Sequence, residues 1–228
     1  MAEEYLTDDE QLEAVKRWTS ENGAWLFGGF VLGAALLFGY RYYESYKNER
    51  ALKAAAHFGE MTTALDKNDR NAAQQVAEGL IKEYANTPYA DQAELTMARL
   101  HVDAGELTKA IAPLMHVMSS SSDTELQHIA RLRLARVLID QGKPDEALAT
   151  LGLNAPGPFA ARYHEIRGDA FFAKKNFNDA LTEYKAAKAG GDARSVDSPL
   201  LALKIADLGS PSIPIAGTNP VILNKAKP

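Results

Sequence analysis

The side chains in this sequence that could do covalent or metal chemistry are few and spread apart. There is no cysteine among the 228 residues, which removes thiol nucleophiles, Cys-ligated zinc, iron–sulfur clusters and CxxC redox chemistry together. The five histidines, His57, His101, His116, His128 and His164, include no pair four residues apart that could share a metal on one helix face. Their expected role is surface or interhelical packing. His164 and Glu165 are adjacent, so on a helix their side chains diverge. Asp140 and Asp145 flank a turn, where a carboxylate serves as a cap or a first-turn dipole partner. No phosphate-binding GxxxxGK, dinucleotide GxGxxG, nucleophile-elbow GxSxG or zinc-binding HExxH occurs. The expectation is no catalytic residue, no cofactor and no metal: not an enzyme, but a protein that acts by binding.

The residues left to do that binding sit in a helical frame. Beyond residue 50, Ala, Leu, Glu, Lys and Arg abound, β-type alternation is absent, and Gly or Pro separates the periodic segments, the pattern of an all-α domain. Four segments, 68–73, 105–110, 142–147 and 175–180, share a turn followed by an alanine on the next apolar face. These alanines, Ala73, Ala110, Ala147 and Ala180, are spaced 37, 37 and 33 residues apart. That period belongs to stacked helix pairs, each burying its apolar face against its neighbours. The last unit is the clearest, with Gly168, Ala170, Phe171 and Phe172 on its first helix and Phe177, Ala180, Leu181, Tyr184 and Ala187 on its second. It resembles the tetratricopeptide repeat. Small residues at Gly168 and Ala180 allow a close crossing, and Phe171, Phe177 and Tyr184 are expected to fill the space around it. Ala135, Leu138 and Ala147 fit the unit before, and Ala98 and Ala110 the one before that, with His101 at a usually aromatic position; the unit over 51–86 is the most degenerate. Thr87-Pro88 and Ser198-Pro199 read as helix starts, Gly142 and Gly209 as helix stops. Segment 199–208 is expected to cover the open face of the last unit, and 209–228, with four prolines and little charge, reads as a flexible tail.

In a stack of this kind the first helix of each pair lines the binding face. Setting the units in register places Phe58 and Leu65 there, then Leu95, Arg99 and Val102, then Leu132, Arg136 and Ile139, then Arg162, Glu165, Asp169 and Phe172. Apolar patches separated by arginines suit an extended or helical polypeptide segment. For each apolar member, burial in the core is the competing assignment. The repeated Lys/Asn pattern of repeat domains that clamp a C-terminal carboxylate is missing.

Ahead of the repeats, Asn22 to Tyr40 gives 19 consecutive uncharged residues between Glu21 and Arg41. A helix of that length spans roughly 28 Å at about 1.5 Å per residue, close to the ~30 Å hydrocarbon core of a bilayer. Trp25 lies near one end and Tyr40, Tyr42 and Tyr43 near the other, where amphipathic rings favour the headgroups. The long acidic n-region and the lack of a small-x-small site after the apolar run point to an uncleaved signal anchor. Gly29 and Gly33 form a GxxxG, a candidate helix-packing face. Simple lipid exposure is the alternative.

Charge adds two arguments. Residues 1–23 hold seven acids and two bases, so the remainder of the chain balances at 23 against 23, which argues against a nucleic-acid partner. Lys16 and Arg17 precede the span while Arg41, Lys47, Arg50 and Lys53 follow it, a count that favours a cytoplasmic C-terminal domain. Long domains translocate largely regardless of such charges, so orientation must come from elsewhere.

The opening Glu3-Glu4-Tyr5-Leu6-Thr7-Asp8-Asp9-Glu10-Gln11, the run from Leu12 through Lys16-Arg17-Trp18, the single span and the aromatic–basic cluster after it, followed by a short repeat domain, resemble the YfgM-type ancillary subunits of the bacterial Sec translocon. Only the proline-rich tail has no expected counterpart. The resemblance implies a single-pass inner-membrane protein with a cytoplasmic N-terminus and a periplasmic repeat domain. The implied partners are the SecYEG translocon, a membrane-anchored periplasmic chaperone of the prolyl-isomerase class (PpiD), and nascent or unfolded secretory proteins passed on to periplasmic chaperones. A role in restraining envelope-stress signalling is a secondary implication. The expected division is an acidic cytoplasmic segment 1–21, a transmembrane helix 22–43, a tetratricopeptide-like repeat domain with its capping helix 44–208, and the tail 209–228. The alternative of a different class is a membrane-tethered structural scaffold for protein assembly, with no handling of unfolded chains.

Overall fold

The computed structural model describes residues 8–85, 87–154, 157–190 and 198–209; the expected tail beyond Gly209 and the acidic opening up to Thr7 lie outside them. Among the described residues the chain is all-α. The elements are α1 (Asp8–Asp66), α2 (Arg70–Glu83), α3 (Pro88–Asp103), α4 (Leu107–Ser120), α5 (Thr124–Asp140), α6 (Pro144–Leu151), a 3₁₀ turn (Gly157–Phe159), α7 (Ala160–Ala173), α8 (Phe177–Gly190) and α9 (Ser198–Gly209). The chain divides into two units, Met1–Ala56 and His57–Pro228.

In the first unit the apolar stretch of α1 is long enough to cross a membrane, and none of it is buried. Trp25, Phe30, Leu37 and Phe38 all point outward, so the helix is apolar all round and suits a hydrocarbon surrounding. Gly29 and Gly33 have open space where a Cβ would stand.

In the second unit short turns join the end of α1 to α2, α3 to α4, α5 to α6 and α7 to α8, and α9 packs against α8. Each pair turns on one residue in the left-handed region: Asn68 (φ 56°), Gly105 (75°), Gly142 (75°) and Lys175 (62°). Each stands five residues before an alanine with no exposed surface, Ala73, Ala110, Ala147 or Ala180. The turns share one hydrogen-bond pattern. Gly105 N–H donates to Val102 O (2.9 Å) and Glu106 N–H to His101 O (2.8 Å), with equivalent pairs at Asn68/Asp69, Gly142/Lys143 and Lys175/Asn176. This double closure satisfies the last carbonyls of the first helix, and it demands a positive φ at one position. The spacing legible in the sequence is therefore a backbone period. Side chains cap three of the helix starts: Asp69 accepts from Ala72 N–H ahead of α2, Thr87 Oγ1 from Ala90 N–H ahead of α3, and Asp123 caps α5.

Lys175 occupies a conformation that costs an L-residue about 1–2 kcal/mol, partly offset because glycine has more freedom to lose on folding. Lys175→Gly is expected to stabilise the repeat unit by roughly 0.5–1 kcal/mol, and Gly142→Ala to destabilise it by a similar amount. Urea midpoints of the two variants against the parent chain check the pair of opposite signs.

The main core runs from α3 to α7 and includes Leu114, Val117, Leu134, Val137, Leu138, Tyr163 and Ile166. Burying each such side chain contributes on the order of 1.5–3 kcal/mol. At the end of the stack, Leu201 of α9 joins Ala161, Ala180, Tyr184 and Ala187, flanked by Phe171, Ile205 and Leu208, so α9 covers the last pair. A Cβ at Gly168 would come within 2.5 Å of the Tyr184 ring, which is the close crossing its residue type signalled. Phe177 departs from expectation: it is 40% exposed and rests against Phe172 with ring centroids 5.5 Å apart, away from the crossing. As first residue of α8 it sits at the helix end, three residues before the first buried position, Ala180.

Each histidine has a polar partner, within its own helix, across a turn or on a neighbouring helix. His57, His101, His116 and His164 pair with Glu60, Glu106, Glu94 and Glu183, and His128 shares a hydrogen bond with the Tyr163 hydroxyl (2.8 Å). Burial raises the Glu94 carboxyl above its ordinary value, and His116 opposes that rise. Buried Arg167 donates to the carbonyls of Gly152 and Leu153 and to Glu183, fastening the α6–α7 link to the last pair.

Candidate functional site

The first helix of each pair is covered on most of its circumference, so little of it is left to face a partner. On α3 the buried set is Ala90, Asp91, Ala93, Glu94, Leu95, Met97 and Ala98; on α5 it is Ala130, Leu132, Leu134, Ala135, Val137 and Leu138. What remains open between these helices forms two neighbouring clefts. The first, about 340 Å³, lies between the end of α1 and α3 and includes Thr62, Leu65, Thr96, Arg99, Leu100 and Asp103. The second, about 310 Å³, lies between α3 and α5, with Arg99, Val102, Arg133, Arg136, Val137 and Asp140 around a floor of Ala98 and Leu114. Arg99 belongs to both.

The two clefts share six lining positions 37 residues apart, while Asp66, Asn68 and Arg70 line the first alone. Thr62 corresponds to Arg99, Leu65 to Val102, Thr96 to Arg133, Arg99 to Arg136, Leu100 to Val137 and Asp103 to Asp140. Helix geometry is conserved between the pairs while the polar lining changes from threonine to arginine. Asp103 lies 3.7 Å from Arg99 and 3.9 Å from Arg70. Arg136 lies 3.8 Å from Glu165 of α7.

Toward the last pair the face is closed by the chain itself. Lys204 of α9 donates to Asp169 (2.7 Å) and to Glu165 (3.4 Å), with its ammonium 5.3 Å from the centre of the Tyr184 ring. The Tyr184 hydroxyl also donates to Asp169 (2.7 Å). Burial, with the Asp169 and Glu165 carboxylates alongside, pushes the Tyr184 phenol well above its ordinary value, so it stays a donor. Glu165 is only 6% exposed, and Lys204 and Arg136 are the cations that make its burial tolerable.

The sequence-derived stripe is thus partly dispersed. Leu65, Arg99, Val102 and Arg136 line the clefts. Leu95 and Leu132, each 5% exposed, are corrections: both belong to the core, because the neighbouring second helices cover that side of α3 and α5. Ile139 is half-buried and packs against the same core. Phe58 is half-buried against Tyr89 (centroids 5.8 Å apart). Asp169 is a second correction, held by Lys204 and Tyr184 instead of offered to a partner. Arg162 is half-buried on α7 and Phe172 is 49% exposed; neither lines either of these two clefts. Arg133 and Asp140 are cleft residues that the sequence reading passed over, and Val137, a core residue 4% exposed, forms part of the floor. The signal that finds them is the 37-residue period itself, applied to Thr96, Leu100 and Asp103.

Comparison with known proteins agrees with this architecture. The profile of the tetratricopeptide repeat-like domain family matches residues 16–210. A protein of Escherichia coli (strain K12) named "Ancillary SecYEG translocon subunit" is 33% identical over 204 residues, covering 90% of this chain and 98% of that protein. Proteins of the same name from Neisseria gonorrhoeae and Haemophilus influenzae are 29% and 27% identical, covering 90% and 82% of this chain and 98% and 91% of theirs. No solved structure gives a significant match.

Proposed function

The chain belongs to the tetratricopeptide repeat-like family of the ancillary SecYEG translocon subunits, and from that premise we propose that it is a membrane-anchored docking subunit beside the translocon. Residues 1–21 stay in the cytoplasm, 22–43 cross the inner membrane, and the repeat domain over 44–208 stands in the periplasm. There its cleft-bearing face meets SecYEG, a membrane-anchored chaperone of the prolyl-isomerase class (PpiD) and newly translocated chains on their way to periplasmic chaperones. The observation that carries this reading is the combination of one outward-apolar helix with a repeat unit whose first helices leave two adjoining clefts open. Apolar floors edged by arginines support binding as the work of that face. Anchoring keeps the clefts near the channel exit at high effective concentration, so weak contacts suffice.

The experiment is protease accessibility of the full-length chain in spheroplasts and in inverted inner-membrane vesicles, together with affinity purification from mild detergent. The expected result is digestion of the repeat unit in spheroplasts, protection in the vesicles, and co-purification with SecYEG. The reverse digestion pattern places the repeats in the cytoplasm and leaves a membrane-tethered scaffold as the function. Loss of SecYEG from the purified material overturns the translocon reading directly.

A further inference from the structure

Among the described residues, the second cleft is lined by more bases than acids. Arg99, Arg133 and Arg136 line it against a single lining carboxylate, Asp140, where the equivalent cleft one repeat earlier has threonines at two of the three positions. The other nearby acids are at the limit of ion-pair range or already shared. Asp103 stands 3.7 Å from Arg99 and 3.9 Å from Arg70, and Glu165 stands 3.8 Å from Arg136 while accepting from Lys204. Arg133 has a long bond to the Leu95 carbonyl (3.4 Å), and among the described residues no carboxylate lies within 4.0 Å of it. Partial desolvation and the adjacent guanidiniums of Arg99 and Arg136 lower its proton affinity.

The floor between these arginines is apolar, formed by Ala98, Val102, Leu114 and Val137. A bare anion would meet the charge and leave that floor uncovered. A nucleic acid needs an extended basic face, and the chain beyond residue 23 is balanced at 23 bases and 23 acids. At about 310 Å³ the cleft is at the small end of ligand pockets, which run to roughly 300–1,000 Å³, so it takes one side chain and its flanks. We propose that this cleft docks an acidic polypeptide segment, in which two carboxylates pair with Arg99, Arg133 and Arg136 while an aliphatic side chain between them rests on Val102 and Val137. Guanidinium–carboxylate pairs are the charge-assisted contacts best suited to hold such a segment in register. Lys204, seated between Glu165 and Asp169, ends the site: the next pair already holds its own acids and repels those of a partner. The proposal rests on reading this face as a protein-docking surface, and it specifies the chemistry of the partner.

The test uses the full-length chain in detergent micelles and two fluorescein-labelled peptides, one built of Glu-Leu-Glu blocks and the other of Gln-Leu-Gln blocks, followed by fluorescence anisotropy. The Glu peptide is expected to bind about tenfold or more tightly than the Gln peptide, with the gap closing as salt is raised. Arg133→Gln removes the preference, and Arg133→Lys retains part of it. Helicity and melting temperature verify that each variant is folded; Arg99→Gln, at a side chain 74% exposed, replaces Arg133→Gln if that variant melts early. Equal binding of the two peptides, or a preference that survives Arg133→Gln, overturns the acidic selectivity while the docking reading stands. Competition by inorganic phosphate at the same concentration as the Glu peptide overturns the peptide assignment. Binding of neither peptide by chain that still co-purifies with SecYEG overturns this proposal alone, and chain that has lost SecYEG overturns the reading beneath it.

Discussion

A chain carrying Leu132→Asp is expected to lose the cooperative unfolding transition of its repeat unit, while Phe172→Asp keeps it. Leu132 is 5% exposed and sits in the cluster that joins α3, α4, α5 and α7. Truncating a leucine in such a place costs about 2–5 kcal/mol. Burying an unpaired carboxylate costs several kcal/mol more, or forces the group to take up a proton. The sum reaches the roughly 5–15 kcal/mol that holds a whole domain folded. Phe172, by contrast, is 49% exposed and gives up little beyond its contact with Phe177, of the order of 0.5–1.5 kcal/mol. Urea titrations of the two single variants, read by circular dichroism, separate the cases. A Leu132→Asp chain with the parental midpoint would mean that this side of α5 faces solvent.

Gly168→Val is the second large effect. The α7–α8 crossing leaves no room there: a Cβ would stand 2.5 Å from both Cδ1 and Cε1 of Tyr184. The ring cannot swing clear at low cost, because its hydroxyl is tied to Asp169 and its body is buried among Ala161, Ala180, Ala187 and Leu201. Overpacking of this kind costs about 1–3 kcal/mol for a modest insertion, and a branched side chain at a backbone crossing belongs at or above the upper end. Alanine is milder, since relief of the helical glycine penalty returns up to about 1 kcal/mol. The displaced Tyr184 also disturbs the seats of Leu201 and Lys204, and with them the packing of α9. The distinguishing measurement is hydrogen exchange: protection in α9 is expected to fall in Gly168→Val further than protection in α3 to α5. Equal protection in α9 before and after the substitution would show that the crossing relaxes without disturbing the cap.

The elements that were readable in advance share a physical cause. A turn that needs a positive φ selects glycine or asparagine, and a close crossing selects glycine or alanine, so Asn68, Gly105, Gly142, Gly168 and the four buried alanines announce themselves by residue type. Lys175 breaks the rule for the turn, and its place in the period was carried by Ala180 instead. The apolar run ahead of the repeats was equally plain, because the length of a bilayer-crossing helix is set by the bilayer and not by any other part of the chain.

The face that carries the two clefts was only half readable. Period and register located Leu65, Arg99, Val102 and Arg136, since these recur on one side of successive first helices. The same register offered Leu95 and Leu132 for the face and passed over Arg133, because a first helix packed on two sides has a solvent-facing stripe scarcely one residue wide. A rotation of a fraction of a turn exchanges core for surface there, and only the neighbouring helices decide it.

The sequence by itself determined the local facts: an anchor helix, helix pairs, the turns between them and the small residues at their crossings. Each of these depends on a few consecutive residues and on what those residue types can adopt. Tertiary structure alone decided which charges remain available. Glu165 and Asp169 look free on α7, yet Lys204 reaches them from 39 and 35 residues further along the chain. Arg133 looks like one more solvated base, yet the arginines it faces come from its own helix and from the helix pair before. Charge pairing acts through space at a few ångströms, and no period along the chain records which distant side chain will arrive there.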